Sequence, residues 1–348
     1  MTYSDSGLTN YTQYYFAVSS ITDDRGGSSF ESALSRVVNG EPKWLGPLWY
    51  VDRVGGSTSG DGSSANPFRD IQDGIDAAPT GDTVLVLPGT YAGAGNRPDN
   101  RQLEFVDDKG TPNIEDDSAK NIVLKSRDGA ATTFIDSRNY RAFEIDNGTD
   151  TTLQIIGFTI TSTTGGEDDG NGAVVRIYGV TYWNENSQQN ITNYSSAVFR
   201  NCIFTIFDSG SLQGQDWEDA AIHVDGGISI FDNCEFTNIT VDYTGYIGDA
   251  WGGAVRLKGG TLRFNQSKLT NITVKRTDGF LHGAAIGINI NNNTPADVSL
   301  VNTIVADNLL TYTGTHIQGN GWVSGGAIYM GSTSGHLKLI NSTLVNNQ

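Results

Sequence analysis

Cysteine, methionine, histidine and basic residues are all scarce in this 348-residue chain, and each scarcity excludes something. Two cysteines, Cys202 and Cys234, are present; by themselves they supply neither a disulfide framework nor a zinc site. The four histidines, His223, His282, His316 and His336, show no metal-ligand spacing. Lys and Arg number 22 against 39 Asp and Glu, a formal charge of −17, and no basic cluster stands out. The phosphate attraction that dominates nucleic-acid affinity is therefore missing, so neither nucleic acid nor an anionic membrane surface is an expected partner. No apolar run reaches about 18 residues, and nothing reads as a bilayer span. The opening Met1-Thr2-Tyr3-Ser4-Asp5 is polar and does not read as a signal peptide, while both ends of the chain read as truncated.

What is abundant points the other way. Gly stands at 43, Asn, Thr and Ser are frequent, and only 18% of residues are charged. This is the composition of a turn-rich β protein rather than a helical one. Its acidity fits solubility outside the cell and an affinity for cations.

Residues 8–38 read as two strands, Gln13-Tyr14-Tyr15-Phe16-Ala17-Val18-Ser19 and Ser32-Ala33-Leu34-Ser35-Arg36-Val37, joined by the polar turn Asp23-Asp24-Arg25-Gly26-Gly27. The run Leu8-Thr9-Asn10-Tyr11-Thr12-Gln13-Tyr14-Tyr15-Phe16-Ala17-Val18 resembles the last two strands of a fibronectin type III module. That resemblance implies a C-terminal module remnant over residues 1–40, a linker over 41–48 and the main domain over 49–348. The alternative is a hairpin that caps the main domain.

The strongest local pattern runs through Trp49-Tyr50-Val51-Asp52, Gly60-Asp61-Gly62, Ile71-Gln72-Asp73-Gly74-Ile75 and Thr83-Val84-Leu85-Val86-Leu87-Pro88-Gly89-Thr90-Tyr91. It reads as strand, glycine-rich loop, short amphipathic helix with Phe68, Ile71 and Ile75 on one face, turn and buried strand. This order resembles the opening of secreted bacterial β-helix proteins of the pectate-lyase-like superfamily. The resemblance implies an all-β fold, a right-handed single-stranded parallel β-helix whose short helix caps the N-terminal end.

Periodicity supports a solenoid independently of that resemblance. Five segments share a small-small-aliphatic opening: Gly172-Ala173-Val174, Ala220-Ala221-Ile222, Gly253-Ala254-Val255, Ala284-Ala285-Ile286 and Gly326-Ala327-Ile328. Their central residues lie 48, 33, 31 and 42 apart, as expected of coils with variable loops. A second signature places Asn201, Asn233, Gln266, Asn302 and Asn341 at a turn before an in-out-in strand. Parallel pairing at about 4.8 Å per coil stacks like residues over like, so the asparagines are expected to form an interior amide ladder. Cys202 and Cys234 should stack in the core as small residues, with Ser267, Thr303 and Ser342 continuing their column; the alternative is a disulfide between them.

The loops just before the small-small-aliphatic openings carry acids and large aromatics, and solenoid geometry should gather them on one flank. Trp217, Trp251, Phe280, His282 and Trp322 are the candidate substrate-binding residues, because aromatic faces stack on sugar rings. Their alternative role is to pack the insertions down. Asp219, Asp249 and Glu218 are the candidate catalytic carboxylates, since neighbouring coils could bring two of them to glycosidase spacing. Asp168, Asp169 and Asn171 form a candidate oxygen set for calcium. Lyases of the resembled fold use calcium-binding acids with a basic residue, and no such motif marks Arg256 or Lys258.

Taken together, these readings imply a monomeric, secreted or cell-surface bacterial protein that binds an extracellular polysaccharide or cell-surface glycan, with lyase or hydrolase activity left open. The alternative is a non-catalytic adhesin or structural surface stalk. It draws on the repeated Gly-Gly-Ala-Ile and Asn-Ser-Thr-Leu-Val-Asn-Asn phrases, which resemble those of bacterial surface β-helix proteins.

Overall fold

The computed structural model describes residues 8, 12–23, 29–92, 103–107, 117–137, 141–162, 174–184, 188–208, 220–243, 249–276, 279–289, 295–312, 323–331 and 335–348. The chain divides into two compact units, Met1–Gly46 and Pro47–Gln348.

In the first unit Tyr14–Phe16 pairs antiparallel with Val38–Gly40, and Ile21–Asp23 with Ser29–Glu31. The expected second strand, residues 32–37, is the irregular stretch between these pairings. Serine chemistry explains it: the hydroxyls of Ser32 and Ser35 accept the backbone N–H groups of Ser20 and Val18 at 2.9 and 3.0 Å. Side-chain oxygens thus replace part of the regular ladder.

The second unit is a right-handed parallel β-helix capped by a short helix. Two nine-stranded sheets and one seven-stranded sheet run along it, and every strand on the main path of each pairs in parallel with its counterpart one coil away. One coil, for example, contributes Ile228–Asp232 to the first sheet, Glu235–Tyr243 to the second and Val255–Leu257 to the third. Strand alternation buries one face of each sheet. Leu124, Ile155, Phe199, Phe231, Phe264 and Leu300 form one unbroken interior column. Within it Phe199, Phe231 and Phe264 stack at 5.2 and 5.0 Å between ring centroids. Phe204 and Phe236 of the second sheet stack at 4.5 Å and meet this column edge-on.

The corner between the first and second sheets corrects one expectation. Asn201, Asn233, Gln266, Asn302 and Asn341 all adopt the left-handed conformation, with φ between 47 and 53°, which short polar side chains tolerate best. That conformation turns them outward, and all five are exposed. Asn233 donates to the Asn201 side-chain oxygen at 2.8 Å, so this part of the ladder lies on the surface. The following residues turn in. Cys202 and Cys234 are buried free thiols, and the Cys234 N–H donates to the Ser267 hydroxyl at 3.1 Å, as Thr303 does to Ser342. An interior amide pair exists elsewhere: Asn308, 1% exposed, donates to the Asn347 side chain at 2.8 Å.

At the N-terminal end, helix α1 (Ile71–Ala77) buries Ile71, Gln72, Gly74 and Ile75. A side chain at Gly74 would come within 2.7 Å of Val51 and 2.9 Å of Val84, so glycine lets the helix lie close on the first coil. Lys120 donates to the carbonyls of Ile75 and Asp76 at 3.0 and 2.7 Å, satisfying two C-terminal groups of the helix. Among the described residues no helix is long and apolar enough to cross a membrane.

Candidate functional site

The outward position of the third sheet carries a stacked column: Glu104, Glu144, Arg176, His223, Arg256, Gly287 and Tyr329, each in register with the next. Such positions ordinarily meet water, yet Arg256 is fully buried and His223 is 4% exposed. Burial, reinforced by the charges of Arg256 and Lys258, holds the His223 imidazole well below its usual pKa.

At the C-terminal end of this face lies a further three-stranded parallel sheet of Asp249–Trp251, Phe280–His282 and Val323–Ser324. These strands come from the segments that precede the small-small-aliphatic openings, and they bring several of the sequence candidates together. Asp249 is exposed and in register with Phe280. Trp251 and His282 pair across neighbouring coils, but at 8% and 7% exposure they form the body of a stack rather than an open wall. Tyr329 extends that stack, 4.3 Å from His282. Phe280, at 36%, is the aromatic candidate that faces solvent among the described residues. Desolvation lowers the His282 pKa, Asp249 opposing and Arg276 adding to the effect. Trp217, Glu218, Asp219, Trp322, Asp168, Asp169 and Asn171 lie outside the described residues. Among the described residues no cluster of His, Cys, Asp and Glu could hold a metal ion.

The opposite end of the same face holds a cavity of about 520 Å³ that the sequence reading missed. Its walls come from α1, from the first coils of the third sheet and from Lys120, and its carboxylates are Asp76, Glu104, Asp107, Asp117, Glu144 and Asp146. Gln72 fixes the junction of two walls: it donates to the Glu104 carbonyl at 3.1 Å and accepts the Glu104 N–H at 3.0 Å.

Glu144 and Asp146, two apart, share the outward face at the strand Phe143–Ile145. Tyr178, from the next coil, places its phenol oxygen 3.0 Å from Glu144 Oε1 and 3.1 Å from Asp146 Oδ2. The two carboxyls differ in surroundings. Glu144 has Arg141 Nη1 at 3.4 Å and Arg176 Nη1 at 4.0 Å, whereas Asp146 makes no ion pair among the described residues and takes a 3.3 Å bond from the Asn147 side chain. Burial, and then the charge of Glu144, pushes the Asp146 carboxyl up to about 6. Burial between two acids also raises the Tyr178 phenol, while Arg176 lies 4.1 Å over its ring. The signal in the sequence was Glu144-Ile145-Asp146 followed by Arg176-Ile177-Tyr178, two outward polar pairs that meet only once the coil register is known.

No protein-family model matches the chain, and no curated protein matches it. Among solved structures, a pectin methylesterase in complex with a hexasaccharide aligns over 83% of this chain and 92% of that one, at 13% sequence identity and a TM-score of 0.26.

Proposed function

We propose that this chain is an extracellular or cell-surface β-helix protein that binds polysaccharide, and that the cavity between α1 and Tyr178 holds a sugar unit of the bound chain. The observation that carries this reading is the cavity itself: about 520 Å³, within the roughly 300–1,000 Å³ of small-molecule sites. It is lined by carboxylates, two amides, a lysine and a phenol set on a rigid scaffold. Carboxylates and amides bond sugar hydroxyls, and strand-borne groups hold the fixed geometry that such bonds need. The hairpin of residues 14–40 fits this setting as the closing strands of a fibronectin type III-like module.

A glycan array probed with the 348-residue chain, with calcium present and absent, tests the reading. Binding to one class of glycan, weakened at least 10-fold by Tyr178→Ala and kept by Trp251→Phe, would support it. An array without signal would remove it. The second reading is a non-catalytic adhesin or structural stalk; the burial of Trp251 and His282 favours it, because a packed stack offers sugars little aromatic surface.

A further inference from the structure

Resting on the reading of the cavity as a sugar site, we infer that Glu144 and Asp146 form an acid and nucleophile pair that hydrolyses a glycosidic bond of a neutral glycan, with Tyr178 as their positioning residue. Three features of the geometry converge on this assignment. The two carboxyls line one cavity from one strand end. A single phenol oxygen stands within hydrogen-bond distance of both, and a phenol carries one proton, so the bridge is best completed when one carboxyl is itself protonated. The cations are placed on one side: Arg141 and Arg176 reach Glu144 and stabilise its carboxylate, while Asp146 is left to hold the proton. Two carboxyls in unlike surroundings, one beside cations and one without, are the arrangement that acid and base roles need. The raised Asp146 carboxyl agrees with that division.

Spacing selects the reaction course. Because both carboxyl oxygens contact one phenol oxygen, they stand no more than about 6 Å apart, below the roughly 6.5–9.5 Å that admits a water between them, which leaves the retaining course. In the first step the Asp146 carboxyl gives its proton to the glycosidic oxygen as the bond from that oxygen to the anomeric carbon breaks. Glu144 forms a bond to the same carbon, giving a glycosyl ester. In the second step the Asp146 carboxylate takes a proton from water as the water oxygen displaces Glu144, which restores both carboxyls. No oxidant or further reactant enters. The substrate class follows from the balance of charge: six lining carboxylates, one of them protonated, face the ammonium of Lys120 and the guanidinium groups of Arg141 and Arg176 on Glu144, an acidic surplus that disfavours a uronate chain and accepts a neutral one.

The test uses the full chain on xylan, mannan, starch and mixed-linkage β-glucan. Reducing ends are followed from pH 4 to 8, product anomers by proton NMR, and binding of the same polysaccharides by calorimetry. The expected result is hydrolysis with retained anomeric configuration and a rate that falls above about pH 6. Asp146→Asn and Glu144→Gln should each lower the rate by about 100-fold or more while circular dichroism stays unchanged. Asp146→Asn should lose far less on an aryl glycoside whose leaving group needs no proton. Tyr178→Phe should move the pH limb, which a purely structural tyrosine would not do. Binding without release of reducing ends from any polysaccharide would overturn the inference and leave the binding reading standing. Absence of binding as well would overturn both.

Discussion

The indole of Trp251 stacks on the imidazole of His282 one coil further on, with ring centroids 4.1 Å apart and planes 29° apart. The stack lies against a glycine: a Cβ on Gly287 would come within 2.5 Å of the Gly252 nitrogen and 2.7 Å of the Trp251 carbonyl carbon. The strand that carries Trp251 can therefore settle directly onto the outer face of the third sheet. Its ring reaches Gly331 on the far side, where a Cβ would stand 3.2 Å from the indole edge. This tryptophan is a structural clamp between an outer layer and the solenoid wall.

Trp251→Ala is accordingly expected to cost stability rather than ligand affinity. Removing a buried tryptophan loses about 3–5 kcal/mol, read as a lower urea midpoint. Glycan affinity at the cavity beside Tyr178 should stay within twofold. An unchanged midpoint with abolished binding would instead return Trp251 to the role of a sugar platform.

The corner asparagines give a sharper contrast. Asn302 is exposed, holds φ near 50° and precedes the inward Thr303. Asn302→Ala forces a Cβ-bearing residue without a compensating polar group into the left-handed region, which costs about 1 kcal/mol. Asn302→Gly should stay within about 0.5 kcal/mol of the native protein, because glycine adopts that conformation freely but loses more chain entropy on folding. Equal losses for both variants in chemical denaturation would mean that the asparagine acts through its side chain instead.

These two cases show what a sequence of this kind discloses. The coil architecture was readable because Ala221, Ala254, Ala285 and Ala327 recur at the same stage of successive coils, and the chain does hydrogen-bond from one of these segments to the next. Side-chain direction at the corner was not readable, since a left-handed residue points away from the core while its neighbour, Cys202 or Thr303, turns inward. The cavity was harder still. Glu144, Asp146 and Tyr178 sit in early coils before the repeat becomes regular, and no spacing rule links residues 32 to 34 apart until strand register joins them. Likewise Trp251 could be placed on a flank from its position in the repeat, but not seen to be buried, because the glycine that admits it belongs to the next coil.

Interior stacking should dominate stability. Phe231 touches Phe199 and Phe264 face to face and Phe204 and Phe236 edge-on. Phe231→Ala removes partners from four rings and should lower stability by about 3–5 kcal/mol; Phe231→Leu, which keeps most of the volume, should cost less than about 2 kcal/mol. Denaturant unfolding followed by circular dichroism reads both. Losses of similar size would indicate that ring geometry, rather than filled volume, holds the column.

The Asp146 carboxyl links the candidate site to pH. It is held at about 6 in the fold against 3.8 for an ordinary aspartate, so between these values the folded chain binds more protons than the unfolded one. Stability contributed at this position is therefore present at low pH and is lost as pH rises from about 4 through 6. Asp146→Asn removes the cost of a buried charge and should stabilise the protein at pH 7 by about 1–2 kcal/mol, a gain that shrinks toward zero near pH 4. His223 acts with the opposite sign: its folded pKa is depressed, so the unfolded chain takes up its proton first and stability falls as pH drops through about 6.5. The informative quantity is thus the difference between the native protein and the asparagine variant, measured by urea denaturation at pH 4, 5, 6 and 7, in which the histidine contribution cancels. A difference that does not change across this range would show Asp146 to be an ordinary, solvated carboxylate, and would remove the proton that the acid role requires.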